Sequence, residues 1–497
     1  MHREQETKYE PEPDATAPDW LAVDDVREVR EVPSVQLVAV YFDTIDLRLA
    51  RAGGTLRRRE GGPDAGWHVK VPAGRARTEI QRPLGRATTP TKAVRDLVAG
   101  WTRGAPLAPV AAITTARRTT LLLGEAGESL AEFADDRVTG TTPDGDSVEW
   151  REWELELIDG DADLLADADD LLTDAGVGPA ATGTKLARVL GDVDDDEQHL
   201  RRPKAGKPAA RVVHARLAEL VGDLARRDVP ARMGTDEGVH KLRVSCRRLR
   251  AVLAFARPVL DRDVTDPVRD ELRWLAGVLG EARDATVVHE RLRGLVEEEP
   301  RHLVHGPVLP RLRATYRGRG LADVRAALLS PRYFALRDRL DALVADPPWT
   351  ELADAPASAV LPKMLRKELK RVRKRARAAA AEDDAPSALH EVRKATKRLR
   401  YSAEAVEPVA GKPAHKLASA AKHLTSHLGE LQDTVVSRSE LLGLARAAAA
   451  HGEPGFTYGR LYTREEQHAA ALADGYDSGT AMRELRRRTD KAVKAVR

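Results

Sequence analysis

The chain has 497 residues, more than one hydrophobic core usually supports, so two or three domains are expected. Its 81 basic and 78 acidic side chains leave a formal charge of only +3, so attraction to polyanions would have to come from local segregation of charge. The single cysteine, Cys246, excludes an intramolecular disulfide, and without a signal peptide or an apolar stretch of ~20 residues the chain is expected to be soluble and cytoplasmic.

The first motif is the charge alternation Glu4-Gln5-Glu6-Thr7-Lys8. Successive side chains of a β-strand point to opposite faces, so Glu4, Glu6 and Lys8 share one face. Two carboxylates beside an ammonium group suit a divalent cation next to a phosphate, because hard cations prefer oxygen ligands. A solvated edge strand would show the same five residues, so the motif needs support from the rest of the chain.

Strand-like alternation, broken by Gly and Pro, continues to about residue 195. The clearest strands are 38–42, 66–71 and 149–157, and short helices are predicted near 91–100 and 161–175. Carboxylates dominate the first and last strands, whereas Arg and Lys dominate the middle ones. A half-solvated sheet also has charged faces, but it would not group them by sign. If the sheet closes into a barrel, the grouped charges line its interior.

This half resembles a CYTH domain, the triphosphate tunnel metalloenzyme family of adenylate cyclases and thiamine triphosphatases. The resemblance covers nearly all of residues 3–190 and is carried by an ordered set of motifs: Glu4-x-Glu6-x-Lys8, Tyr41-Phe42-Asp43-Thr44, Leu56-Arg57-x-Arg59, Lys70, Arg77-x-Glu79, Arg117-Arg118, Asp135-Asp136, Glu152-x-Glu154-x-Glu156-Leu157 and Thr184-Lys185-Leu186-Ala187-Arg188. It implies an eight-stranded antiparallel β tunnel, in which basic side chains grip a triphosphate and acidic ones hold Mg²⁺ or Mn²⁺.

The resemblance also implies roles for single residues. The implied metal ligands are Glu4, Glu6, Asp135, Glu154 and Glu156, with Asp136 and Glu152 as close competitors. The implied phosphate contacts are Lys8, Arg57, Arg59, Lys70, Arg77, Arg117 or Arg118, and Lys185, and the catalytic set is Glu4, Glu6 and Lys8. Inorganic triphosphate or polyphosphate is the favoured substrate, because few aromatic side chains could stack a base. An adenylate cyclase and a thiamine triphosphatase remain alternatives.

A change of composition separates this half from the next. The acidic run 192–197 and the basic, Pro-containing segment 201–208 have no apolar period, so they predict a linker at 196–209 between domains 1–195 and 210–497. The hydrophobic period predicts helices throughout the second domain. Two blocks recur about 150 positions apart: His240–Arg250 matches His390–Arg400, and Leu279–Asp284 matches Leu428–Asp433. These matches predict a duplicated unit, with repeats at about 210–350 and 360–497.

Helical spacing gives each repeat a basic stripe that opposes an apolar one. The stripes consist of His240, Arg243, Arg247 and Arg250 in the first repeat and His390, Arg393, Lys397 and Arg400 in the second. Segment 363–377 adds nine basic residues against one acid. A basic helix is usually a solvated face, but a repeated one with a histidine in register favours a bound anion. Cys246 lies on the apolar stripe and is expected in the core.

The second half resembles a CHAD domain, a histidine-containing helical module often found behind CYTH domains. The two H-x-x-R-x-x-x-[KR]-R-L-R blocks carry this resemblance. It implies an all-α domain of two four-helix bundles with pseudo-twofold symmetry, whose basic faces bind inorganic polyphosphate. The chain as a whole is then a multidomain α+β protein, with a possible place at polyphosphate granules.

Two further alternatives concern the binding partner. Both domains could bind polyphosphate without catalysis, although a pure anion binder would gain nothing from carboxylates in its tunnel. The basic helices could bind nucleic acid, but they carry no base-stacking aromatics and no base-reading motif, so sequence-specific binding is not expected. No membrane partner is expected either.

Overall fold

A computed structural model describes residues 2–3, 6–73, 76–180, 184–191, 208–381 and 385–496. At positions 2, 3, 73, 76, 77, 385 and 386 only the backbone is described. The chain divides into two compact units, Met1–Gln198 and His199–Arg497. The predicted linker 196–209 lies outside the described residues apart from its last two positions, so its boundaries stay a prediction.

The first unit is built on one antiparallel sheet with the order β1-β6-β5-β4-β3-β7-β8-β9-β2. Its strands are β1 (His2–Arg3), β2 (Glu6–Tyr9), β3 (Glu28–Asp43), β4 (Thr55–Glu60), β5 (Gly66–Ala73), β6 (Ala76–Pro83), β7 (Ala108–Leu123), β8 (Ser129–Thr141) and β9 (Ser147–Leu157). Its α-helices are α1 (Arg48–Arg51), α2 (Lys92–Thr102), α3 (Ala162–Asp174) and α4 (Lys185–Leu190). The helices predicted near 91–100 and 161–175 are therefore confirmed.

The two ends of this sheet belong to the same N-terminal stretch. Arg3 of β1 pairs with Thr78 of β6, and Glu6 of β2 pairs with Glu156 of β9. Three residue steps span at most about 11 Å of chain, so the two edges of the sheet must come close together. Counted as one strand, β1 and β2 give the predicted eight-stranded curled sheet, which is confirmed.

The outer face of the sheet is apolar where helices cover it. Trp153 of β9 is fully buried and packs against Phe133 of β8, with the ring centroids 5.5 Å apart. Leu164 and Leu172 of α3 join the same core. Asp161 begins α3 by accepting hydrogen bonds from the backbone N–H groups of residues 163 and 164, as an N-cap does. Covering this face leaves the opposite, charged face of β8 and β9 for the inside.

The second unit is helical. Its helices are α5 (Ala209–Arg226), α6 (Asp228–Arg232), α7 (Asp236–Phe255), α8 (Arg262–Glu297), α9 (Val308–Tyr316), α10 (Leu321–Leu328), α11 (Pro331–Ala345), α12 (Ala357–Ala379), α13 (Ala385–Ala410), α14 (Lys412–Ala450), α15 (Phe456–Asp474) and α16 (Ser478–Ala495). Helices α5, α7, α8 and α11 pack in a ring, and so do α12, α13, α14 and α16. The predicted duplicated four-helix bundles are confirmed.

The two bundles share one hydrophobic core, which runs from Ala209 to Val496 and contains Cys246. Equivalent helices meet each other, because α7 packs on α13 and α8 packs on α14. Arg248 lies 3.6 Å from Glu404, and its equivalent Arg398 donates to the carbonyl of Ala254, the equivalent of Glu404. Reciprocal contacts of this kind are what a twofold relation produces.

Across the described ranges, no helix combines the length and the apolar character that crossing a membrane requires.

Candidate functional site

The period of two along β8 and β9 decides which carboxylates reach the inside of the curled sheet. Glu154 and Glu156 of β9 line the interior, whereas Leu155 between them belongs to the outer core. In β8, Glu132 also lines the interior. Strand alternation thus gives Glu132, Glu154 and Glu156 the same face, which lines the cavity.

The interior is a cavity of about 550 Å³, with acidic side chains on one arc and basic side chains on another. The acidic arc comprises β8, β9 and β2, and the basic arc comprises β4 and β5 together with Arg117 of β7. The charged lining residues are Glu6, Lys8, Arg57, Arg59, Asp64, Lys70, Glu79, Arg117, Glu132, Glu154, Glu156 and Lys185.

A row of three carboxylates crosses the acidic arc. Glu156 is the register partner of Glu6 on one side and of Glu132 on the other. Glu6 lies 3.8 Å from the Nζ atom of Lys8, and Glu132 lies 4.0 Å from Arg117, so both ion pairs are at the long end of the usual distance range. Glu132 belongs to no motif of the sequence and was not predicted, although it shares the parity of Asp136 in β8.

A second carboxylate group lies next to this row and is already neutralised. Asp136, Glu152 and Glu154 offer oxygen atoms within 4.8 Å of one another. The Nζ atom of Lys185 lies 2.8, 2.7 and 2.9 Å from them, respectively. The ammonium group of Lys185 thus lies where three carboxylates could otherwise hold a metal ion. Asp136 and Glu152, the alternative metal ligands implied by the resemblance, both belong to this group.

Two more cations contact this group. Arg117 makes a two-pronged ion pair with Asp136, at 2.8 and 2.7 Å, and reaches Glu154 at 2.5 Å. Lys8 also pairs with Glu154. Burial opposes ionisation of Glu154, but Lys185, Lys8 and Arg117 together hold its pKa well below the usual range. The same carboxylates raise the pKa of Lys185 despite its burial.

The basic arc includes two carboxylates: Asp64 pairs with Arg59, and Glu79 lies among the other cations. Arg57 lies 3.8 Å and Lys70 3.4 Å from it, and the Nδ1 atom of His68 makes a hydrogen bond with it. Burial and the charges of Arg57 and Arg117 lower the pKa of Arg59 to about 10. A lowered arginine pKa means that the charged form lacks full compensation, which an anion could provide.

Helix α4 lies against tunnel-facing residues at one end of the cavity. Thr184 accepts a hydrogen bond from the N–H of Ala187 and so begins the helix, which places Lys185 in the first turn. Leu186 packs with Tyr41 and Ile113, and a methyl group at Gly140 would lie 2.2 Å from Val189. The close approach at Gly140 lets the helix reach the sheet.

Two predicted site residues lie on the wrong face. The carboxylate of Asp135 points outward, where it pairs with Arg151 at 2.8 Å and accepts from the indole N–H of Trp153 at 3.0 Å. Arg118, its register partner in β7, is exposed, while Arg117 lines the cavity. The prediction of Asp135 as a metal ligand and of Arg118 as a phosphate contact is therefore wrong. Alternation selects Asp136 and Arg117 from the two doublets.

The remaining tunnel predictions divide into two groups. Glu6, Lys8, Arg57, Arg59, Lys70, Glu154, Glu156 and Lys185 all line the cavity. Glu4 lies outside the described residues, and of Arg77 only the backbone in β6 is described, so their roles stay predictions.

In the second unit the two basic stripes meet at the contact between α7 and α13. Arg243 and Arg247 come from the first repeat, and Arg393 and Lys397 come from the second. Burial, followed by the charges of Arg393, Arg247 and Arg243, lowers the pKa of Lys397 to about 7. These four residues form one group, called the cation cluster below.

Two acids face the cation cluster. Asp284 accepts from Arg243 at 2.8 Å. Burial raises the pKa of Asp433, although Arg393, Arg291 and Lys397 oppose that shift. Two carboxylates therefore face four cations, and the excess positive charge is partly buried.

The other predicted stripe residues lie at the two ends of the cluster. Burial and nearby cations lower the pKa of both His240 and His390, which favours their neutral forms. Arg250 lies near Arg269 and Arg273 of α8, whose charges help burial to lower its pKa. Arg400 donates to Glu404 at 2.9 Å.

The first unit has a tunnel fold with a phosphate-related function, and the second unit consists of paired helical bundles. Residues 2–188 match the family model of the CYTH domain, and residues 215–442 match that of the CHAD domain. An uncharacterized protein of Mycobacterium tuberculosis, found in strains CDC 1551 and H37Rv, is 39% identical over 522 residues, with coverage of 100% of this chain and 98% of that protein. The chain belongs to the family that joins a CYTH domain to a CHAD domain.

Solved structures resemble each part separately. The CHAD domain of the plant Ricinus communis is 25% identical with a TM-score of 0.44, covering 58% of this chain and 95% of that one. A Hippeastrum protein, described as a candidate adenylyl cyclase with a dominant triphosphatase activity, is 12% identical with a TM-score of 0.25, covering 39% and 100%. CYTH proteins include triphosphatases and cyclases, bind triphosphate-type substrates and generally depend on divalent metals.

Proposed function

We propose that the first unit hydrolyses inorganic triphosphate or polyphosphate with a bound divalent cation, and that the second unit binds polyphosphate. The observation that carries the first part is the meeting of acidic and basic arcs in one cavity. Glu6, Glu132 and Glu156 would repel a phosphate chain held by the basic arc unless a cation lies between them. Carboxylates in this position therefore favour a metal-dependent enzyme over a passive anion binder.

The carboxylate row fits Mg²⁺ or Mn²⁺ because its donors are all oxygen atoms, which these hard cations prefer. Glu6, Glu132 and Glu156 would hold the ion, since Lys185 already neutralises the neighbouring carboxylate group. When bound, the ion would offset charge on phosphate oxygens and lower the pKa of a water molecule.

The basic arc would hold the phosphate chain. Hydrolysis of a phosphoanhydride spreads negative charge over the equatorial oxygens, so positioned cations stabilise the transition state. The Nε atoms of Arg57 and Arg59 are buried and have no hydrogen-bond acceptor among the described residues. Both side chains line the cavity, so their guanidinium groups would contact phosphate oxygens there. Glu79 would keep the cations Arg57 and Lys70 oriented toward the cavity.

The lining supports an inorganic substrate over a nucleotide. Among the described lining residues Tyr41 is the one aromatic side chain, and its hydroxyl accepts from Arg57 at 3.3 Å. A nucleoside pocket would need flat surfaces for the base, whereas an inorganic chain needs only charge. Cyclic nucleotide formation from ATP would contradict this choice.

The test of the first part is phosphate release from tripolyphosphate with Mg²⁺ or Mn²⁺. Glu6→Gln, Glu132→Gln and Glu156→Gln should each lower the rate by about 100-fold. Glu149→Gln is the matched control, because Glu149 is an exposed carboxylate on the outer parity of the same strand β9. Wild-type protein that binds tripolyphosphate but releases no phosphate with either metal would establish the non-catalytic alternative.

The proposal for the second unit rests on the excess charge of the cation cluster. Partly buried like charges repel one another, and a polyanion would relieve that repulsion. Long-chain polyphosphate should compete with duplex DNA for the protein at fixed salt, and DNA should not displace polyphosphate at equal phosphate concentration. Preferential binding of DNA would favour the nucleic-acid alternative instead.

A further inference from the structure

Two glycines recur in the long helices at equivalent positions of the repeat. Gly280 of α8 and Gly429 of α14 are buried in mid-helix. Neither has a positive φ, so the backbone conformation does not require glycine. Glycine in a helix interior is less stable than alanine, because it loses more backbone freedom on folding. The need for glycine must therefore come from a neighbour.

That neighbour is an arginine of the cation cluster. A methyl group at Gly429 would lie 2.6 Å from Nη2 and 3.2 Å from Cζ of Arg393. At Gly280 it would lie 3.3 Å from Nη2 of Arg243. Arg243 and Arg393 are themselves equivalent in the repeat, so the same arrangement of guanidinium group on glycine occurs twice.

An aspartate one helical turn later completes each arrangement. Asp284 follows Gly280 by four residues and accepts from Arg243 at 2.8 Å. Asp433 follows Gly429 by four residues, and the charge of Arg393 acts on its carboxylate. Residues four apart lie on the same face of a helix, so glycine and aspartate define one seat for the guanidinium group. This seat accounts for the second repeated block of the sequence.

We propose that Gly280 and Gly429 are positioning residues for anion binding, each holding an arginine of the cation cluster flat against a helix backbone. The inference rests on the proposed binding of polyphosphate by the second unit. A guanidinium group that is held in advance loses less conformational freedom when the anion binds, and its planar donors keep their direction.

The seat predicts opposite effects on stability and on binding. In Gly429→Ala the new methyl group meets the far end of a flexible side chain, so Arg393 moves while the helix gains a better helix former. Unfolding temperature should stay or rise, while affinity for long-chain polyphosphate falls about tenfold, as for one lost charge-assisted hydrogen bond. Gly280→Ala should weaken binding less, because its closest contact is longer.

The same helices supply matched controls. Gly277 of α8 and Gly443 of α14 are exposed, and a methyl group at either position meets nothing within 4 Å. Gly277→Ala and Gly443→Ala should raise the unfolding temperature by a few degrees and leave polyphosphate affinity unchanged.

The experiment measures polyphosphate affinity and thermal unfolding of the full chain for these variants, Arg393→Ala and the double variant Gly429→Ala/Arg393→Ala. Arg393→Ala should weaken binding, and adding Gly429→Ala should change nothing further. If Gly429→Ala binds polyphosphate with wild-type affinity while Arg393→Ala binds it weakly, the inference about the glycines is overturned and the proposed function stands. No binding by the wild type would overturn the proposed function as well. If Gly429→Ala does not fold, the milder variant Gly280→Ala is tested instead. Its polyphosphate affinity is then compared with that of Arg243→Ala in the same way.

Discussion

Arg117 and Arg118 are neighbours in β7 with different surroundings. Arg117 pairs with Asp136, which is fully buried, whereas Arg118 is exposed. Arg117→Ala should lower tripolyphosphate hydrolysis by about 100-fold and destabilise the unit by about 3 kcal/mol, because the buried carboxylate of Asp136 loses one of its two cations and keeps only Lys185. Arg118→Ala should change stability by less than about 0.5 kcal/mol and leave the rate unchanged.

Parallel rate assays and denaturant unfolding of the two variants test this prediction. Arg117→Lys keeps the charge but loses the two-pronged geometry. Relative to Arg117→Ala it should therefore restore more of the stability than of the hydrolysis rate. Equal loss of rate in Arg117→Ala and Arg118→Ala would contradict the assignment of faces.

Lys397 gives polyphosphate binding a dependence on pH. Burial and neighbouring cations lower its pKa to about 7 in the free protein. A bound polyanion favours the charged form, so it raises this pKa, and binding takes up a proton above pH 7. Affinity should be highest below pH 7 and fall by up to about tenfold per pH unit as the pH rises above it.

Titrations of polyphosphate binding between pH 6 and 9 measure this slope. Lys397→Arg is the matched variant, because the equivalent residue of the first repeat is Arg247, and it should flatten the profile. A slope that persists in Lys397→Arg would assign the proton to another group.

Residue doublets mark the limit of prediction from the sequence. Asp135-Asp136 and Arg117-Arg118 each place one charge on either face, and only the register of the sheet selects between them. Glu154 and Glu156 were correctly placed in the cavity because Trp153 and Leu155 alternate with them. Glu132 has no motif of its own, and its relation to Glu156 exists only across two paired strands.

At the scale of elements, α12 differs from its counterpart α5. Its exposed face carries Lys363, Arg366, Lys367, Lys370, Arg371, Lys374, Arg375 and Arg377, while its one acid, Glu368, is buried against Arg398. In α5, Arg216 pairs with Glu219, and Arg226 pairs with Asp223. Each like-charged pair one turn apart costs about 0.2–0.5 kcal/mol, so the fold does not require this run of cations.

We therefore expect α12 to bind phosphates of chains too long for the cation cluster. Replacing Lys367, Lys370 and Lys374 by Gln should weaken binding of long-chain polyphosphate several-fold more than that of short chains, and should reduce the salt dependence of binding. Arg211→Gln on the exposed face of α5 is the control. Equal weakening of short and long chains would place the effect in the cation cluster instead.

Helical elements were easier to predict than their contacts. The period of 3.6 and the duplicated blocks predict the helices and the opposed stripes without reference to tertiary structure. The meeting of the stripes at α7 and α13, and the contact of Arg393 with Gly429, depend on packing between helices that lie far apart in the sequence.

At the scale of the whole molecule, we expect the link between the two units to matter for long substrates only. A tethered polyphosphate-binding unit raises the effective concentration of chain ends near the tunnel. A protease site introduced within 196–207 should leave tripolyphosphate hydrolysis unchanged after cleavage and raise the KM for long-chain polyphosphate. Phosphate release before and after cleavage measures both.

A protease-treated wild-type protein controls for unspecific cutting. Identical KM values for long chains before and after cleavage would show that the second unit does not deliver substrate.

The pairing of Glu6 in β2 with Glu156 in β9 joins residues 150 positions apart. Contacts of such long sequence separation form slowly, because the entropy of closing a large loop is lost before the contacts stabilise the structure. On the ribosome β2 is made early, yet its partner strand β9 emerges only after most of the unit has been synthesised. The carboxylate row therefore forms only after β9 has been synthesised, so under the proposed function an incomplete chain has no complete site for phosphate hydrolysis.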